Sequence, residues 1–237
     1  MAVTGFIHHI GTFLLFVATI LLIITSISAP VVNDIGLLKV TLSNATNDHY
    51  SEVSFGTFGY CVLNTADDDH DFCSRRAIGY HPANVMTDVE ETSYSDYSRK
   101  VTYGLTKVMI LHPVAAGIAF LAFLMAVGSG FFGSLLAAFT SLVTFVVTVV
   151  VLICDFVLFA LIRDNVNDQD NGAHAYYSVG IWTVLVAGIC ALLGAVIVFF
   201  TCCSARLHKK RSSRHGTIPK NDYGAATTTT RRRRRWF

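Results

Sequence analysis

The chain alternates between long runs without a charged residue and stretches crowded with them. Phe6 to Ser28 is uncharged over 23 residues, Pro113 to Phe132 is a second such run, Ser134 to Cys154 continues past Asp155 to Ile162, and Tyr176 to Cys203 is the last. Each reaches the roughly 20 residues that a helix needs to cross a hydrocarbon layer about 30 Å thick. The pattern predicts four transmembrane helices. Because lipid offers no partner to a free peptide group, each should be helical along its length. The chain then divides into a short N-terminus (1–5), a first span (6–28), a long polar loop (29–111), a second span (112–132), a third (133–162), a second loop (163–175), a fourth span (176–203) and a tail (204–237). Ser26 and Ser28 before Ala29 resemble a signal-peptide cleavage site. However, Met1 to Gly5 has no Lys or Arg and the apolar run exceeds a signal core of about 7–15 residues, so the span reads as a retained anchor.

Within the long loop the pattern changes. Leu37 to Ser43 and Glu52 to Leu63 are rich in β-branched and aromatic residues and bounded by Asn and Asp clusters, which predicts two strands. Gly56 and Gly59 would let the second bulge or let another backbone come close. Tyr94, Tyr97, Val101, Leu105 and Val108 recur every three or four residues, so an amphipathic helix should lead into the second span. The expected fold is an all-α membrane protein, a bundle of four transmembrane helices with a small extracellular β-sheet in the first outer loop.

Composition agrees: 53% of the 237 residues are hydrophobic and only 14% charged, outside the balance of soluble domains. Charge gives an orientation. Residues 204–237 hold 11 of the 18 Lys and Arg against one acid, a net +10, whereas residues 1–203 carry 7 basic and 15 acidic residues, a net −8. The positive-inside bias places the tail in the cytoplasm, and with four spans the N-terminus as well. The acidic loops 29–108 and 163–175 then face outside. In the first of these, Asn44-Ala45-Thr46 is a glycosylation sequon, and Cys61 and Cys73 meet the oxidising compartment in which a pair is expected to close into a disulfide.

Other chemistry in the loop is sparse. His70 and His81 lie near the cysteines, but no compact Cys-x2-Cys or His-x3-His spacing supports zinc. Asp67-Asp68-Asp69-His70-Asp71 lacks the glycine-centred, Glu-closed loop of an EF-hand and reads as a solvated turn. His70 among carboxylates should hold its proton to higher pH than a free imidazole, and with His49 and His81 it forms a candidate pH-sensitive set. No cofactor is implied.

The loop also carries a specific signature. FGTFGYC (55–61), eleven residues, C-x4-IGY (73–80), and then HPVAAGIAFLAFLMA at the second span resemble the fungal PalI family of four-span plasma-membrane proteins. That family falls in a wider claudin-like group with the eisosome membrane proteins. The motif positions are Phe55, Gly56, Phe58, Gly59, Tyr60, Cys61, Cys73, Gly79 and Tyr80. The resemblance implies a left-handed four-helix bundle with an extracellular sheet, acting beside a larger sensor in the cell-envelope or ambient-pH response.

Inside the spans, Ala122, Ala126 and Gly130, and Ala187, Ala191 and Ala195, fall four apart and should let helices pack closely, within the bundle first and between copies as the alternative. Asp155 is the one acid in a predicted span. The third helix is longer than the membrane requires, so Asp155 should sit near the outer boundary, with His112, His174 or Tyr177 as its partner.

Cys202 and Cys203 end the fourth span beside Arg206, Lys209, Lys210, Arg211 and Arg214, a setting for S-acylation and for contact with anionic inner-leaflet lipid. Arg231, Arg232, Arg233, Arg234 and Arg235, followed by Trp236-Phe237, repeat that device. A tethered tail argues against nucleic acid. No nucleophile–base pair or phosphate loop supports an enzyme, and nearly uncharged spans argue against a channel or transporter. The expected function is a scaffold or accessory protein of the plasma membrane that binds other membrane proteins, with a direct extracellular pH sensor or a channel or transporter subunit as the alternative.

Overall fold

A computed structural model describes residues 2–33, 35–42, 52–63, 71–90, 93–128, 131–169 and 172–214. In chain order the elements are α1 (Ala2–Ser26), β1 (Leu38–Thr41), β2 (Glu52–Phe55), β3 (Tyr60–Leu63), β4 (Phe72–Cys73), α2 (Pro82–Glu90), α3 (Asp96–Val108), α4 (Leu111–Val127), α5 (Phe131–Asn167), β5 (His174–Tyr177) and α6 (Val179–Arg214). Four helical segments are long and apolar enough to cross a membrane: Phe6–Ser26, Asp96–Val127, Leu135–Asn167 and Val179–Thr201. Residues 1–202 form one compact unit; residues 203–237 form a second, described only as helix to Arg214.

Small side chains bring the helices together. Ala115, Ala119, Ala122 and Ala126 of α4 and Ala187, Ala191 and Ala195 of α6 are all buried, and α4 packs against both α1 and α5. Lipid provides no hydrophobic drive for association, so close backbone approach has to supply it. Hydroxyls inside the helices bond to their own backbones, as Thr19 does to the Leu15 carbonyl at 2.8 Å and Thr148 to Thr144 at 2.8 Å.

The sheet caps one end of this bundle, in the order β4-β3-β2-β1-β5 with every pairing antiparallel. Side chains alternate between its faces. Leu38, Val40, Val53, Phe55 and Ala175 lie on the core side against Leu158, Phe159, Ile162 and Ile181. The far face carries Lys39, 3.1 Å from Glu52, whose Oε1 also accepts from the Tyr176 hydroxyl at 3.2 Å.

Three expectations need correction. Glu52 to Leu63 is two strands: Gly56 and Gly59 turn the chain between β2 and β3, with the Gly56 amide donating to the Gly59 carbonyl at 2.8 Å, so the glycines make a hairpin rather than a bulge. Tyr176 and Tyr177, read from their apolar context as the start of the fourth span, lie in β5, and the helix begins at Val179. The sheet therefore draws its fifth strand from the second loop. The pattern also missed α2, and α5 runs to Asn167, where the Asn167 side chain pairs with both backbone groups of Ala175.

Candidate functional site

The motif FGTFGYC forms a clasp between the sheet and the helices. Phe55 ends β2, fully buried. Beyond it the chain passes so close to the last turns of α1 that a Cβ on Gly56 would collide with the backbone of Ala29. Only glycine fits there. Thr57 follows, buried: its amide donates to the Ser28 hydroxyl oxygen at 3.0 Å and its own hydroxyl donates to the Thr25 carbonyl at 2.8 Å. The Thr57 hydroxyl thus joins the Ser28 amide, at 3.3 Å, on the Thr25 carbonyl near the C-terminus of α1. The Phe58 carbonyl accepts from Ala77, and a Cβ on Gly59 would strike the Ser74 hydroxyl.

Tyr60 and Cys61 then tie the hairpin to the IGY segment. Tyr60 exchanges bonds with Ser74, and Cys61 is linked to Cys73 across the β3–β4 pair. The disulfide lies on the face away from the core, beside Ala29 and Leu63. Gly79 has φ +80, a left-handed turn that suits glycine and sends Tyr80 inward. The Tyr80 hydroxyl donates to the Gly56 carbonyl at 2.9 Å, its own carbonyl accepts from Thr106 of α3 at 2.8 Å, and its ring stacks on Phe55 beside Tyr60. Burial, reinforced by the Asp155 carboxylate, pushes the Tyr80 phenol far above its usual range, so it stays a donor at every physiological pH. Tyr80→Phe leaves the Gly56 carbonyl unmatched and is expected to cost about 1–2 kcal/mol, read as a lowered unfolding midpoint in detergent.

Beneath the clasp is a buried ion pair. His112 Nε2 of α4 lies 3.1 Å from Asp155 Oδ2 of α5, with side chains 0% and 1% exposed. The contact sits off the line of an ideal hydrogen bond and is chiefly electrostatic. Local sequence explains the ring's position. Pro113 has no N–H to offer the Met109 carbonyl, which instead accepts from the His112 backbone amide at 3.0 Å and lies 3.1 Å from His112 Nδ1. A carbonyl only accepts, so Nδ1 carries hydrogen and Nε2 is the atom turned to Asp155. Of the three partners considered for Asp155, the structure thus brings up His112. Tyr177 instead packs its ring on Phe156 and under Arg163, and His174 is exposed on β5.

The remaining candidates are dispersed. His81 is exposed and stacks on Tyr103, whose ring also receives Lys107. Asn44, His49, His70 and Arg231 to Arg235 lie outside the described residues, as does Gly130. Cys202, Cys203, Arg206, Lys209, Lys210, Arg211 and Arg214 fall within α6, their side chains outside the description. Thr25, Ser28, Thr57 and Thr106 carry the clasp; of these only Ser28 stood out in the sequence, as part of a cleavage-like site and not as a clasp residue.

These features define a class: a claudin-like, four-span membrane protein with a disulfide-tied sheet capping one end of the bundle. The chain belongs to the SUR7/PalI family, whose pattern it matches over residues 7–214. Among similar proteins are an uncharacterised membrane protein, TOS7, of Saccharomyces cerevisiae, 32% identical over 114 residues, and two pH-response regulators. These are palI/RIM9 of Pyricularia oryzae, 26% identical over 208 residues, and palI/prr-5 of Neurospora crassa, 29% over 210. The matches cover 48%, 85% and 88% of this chain but only 17%, 24% and 26% of those proteins' own lengths.

Proposed function

We propose that the protein is a non-enzymatic plasma-membrane component of a fungal ambient-pH response, a scaffold or accessory subunit whose sheet-bearing end faces outside and whose basic tail faces the cytoplasm. The observation that carries this reading is the closed character of the motif. Thr57, Tyr80 and Thr106 use their hydroxyls on neighbouring backbone, so the signature residues build a rigid cap rather than a reactive cleft. Relatives described as pH-response regulators supply the pathway, and the net charge of residues 204–237 supplies the orientation.

In this reading the protein assembles with other membrane proteins, a larger sensor or further copies of itself. The basic clusters rest on anionic inner-leaflet lipid, and Cys202 and Cys203 are acylation sites beside them. Asn44 is a glycosylation site on the outer side. Proximity labelling from the C-terminal tail in living cells, on acidic and on alkaline medium, is expected to recover a membrane partner whose yield changes with pH. Equal labelling of bulk membrane protein in both media, together with a normal alkaline response after gene deletion, would sink the reading.

A further inference from the structure

The His112–Asp155 pair has a property that its surroundings force on it. Nδ1 is committed to the Met109 carbonyl, so the edge facing Asp155 is Nε2 alone. With both side chains out of water, a carboxylate facing a bare imidazole nitrogen would set two lone pairs against each other with nothing to screen them. The pair therefore carries one proton between its two side chains, as imidazolium beside carboxylate or as imidazole beside carboxylic acid. Remove it and the acid is an uncompensated buried charge; add a second and the imidazolium is.

Among the described residues, the other titratable groups that bear on Asp155 are Tyr80, from the loop before α2, and the adjacent Cys154 on α5. Tyr80 is the residue that fastens the Gly56 turn and Thr106 of α3 to the cap. The pair lies where α4, α5 and the clasp meet.

We propose that this single proton is a latch between the bundle and its cap. Held, it keeps the outer ends of α4 and α5 together under Tyr80. Lost on the alkaline side, it lets those ends part and loosens the Tyr80 clasp. The cellular meaning of the latch rests on the pH-response reading above, but its physical operation does not.

The test is hydrogen exchange on the full chain in nanodiscs, with protection factors followed from about pH 4 to about pH 9, a range that spans carboxylate and imidazole titration. In the wild type, protection at the start of α4 and around Tyr80 should fall by about tenfold or more toward alkaline pH, while α6 stays unchanged. Asp155→Asn keeps the shape of the side chain and offers an amide N–H to neutral Nε2, a bridge that needs no shared proton. It should remain protected with a flat profile. A flat wild-type profile overturns the proposal whatever the variant does, and so does an Asp155→Asn protein that keeps the wild-type slope. A normal slope in a protein whose deletion leaves the alkaline response intact would retain the latch and remove the pathway.

Discussion

Asp155→Ala is expected to cost about 3–5 kcal/mol, the largest effect of any single truncation considered. The substitution leaves His112 fully buried with nothing opposite Nε2, and breaking one side of a buried pair is far more damaging than never having had it. The expected readouts are a sharply lowered unfolding midpoint in detergent and poor recovery of the protein from membranes. His112→Ala should do as much, because it strands the carboxylate; the Met109 carbonyl keeps its bond from the backbone amide of residue 112. The two losses should not add. A double-mutant cycle in which the pair of substitutions costs little more than either alone identifies a coupled unit; full additivity would mean that the two side chains act separately.

Cys61→Ser is the second large effect. The bridge to Cys73 closes a short loop, with a sequence separation of 12, and pins the edge strand β4 to β3. Removing a native disulfide from a small domain typically costs about 2–5 kcal/mol. Cys73→Ser should match it within error, and the wild type treated with reductant should approach both. The loss should be local. Helices α1, α4 and α5 keep their alanine-lined contacts, so helical content by far-ultraviolet circular dichroism should survive while exchange protection in 52–63 falls. Loss of the helices along with the sheet would contradict this division.

The bundle was legible in the sequence because its signal, absence of charge over twenty residues, is imposed by the solvent and not by tertiary partners. Cys61 and Cys73 were legible too, because they are the only two cysteines of the long polar loop. Where the outcome depended on partners, the sequence fell short. Residues 174–177 run straight into an apolar stretch, and only pairing with β1 makes them a strand. Glu52 to Leu63 has the composition of one strand; contact with Ala29 and the β2–β3 register decide that it folds back at Gly56. Asp155 announced itself as a buried acid, but three partners were equally compatible with spacing. The choice of His112 is made by the packing of α4 on α5, with the Met109 carbonyl against Nδ1 and so Nε2 turned to Asp155.

One feature of the cap bears on how the molecule is made. Tyr176 meets Glu52 across 124 residues of chain, and β5 leaves the ribosome only as the last span does. Strands β1 to β4 must wait with an open edge at β1 throughout synthesis of the intervening helices. Closure of that edge can occur only once β5 has been made, so a product truncated before residue 174 would leave it open to the chaperones that survey nascent membrane proteins.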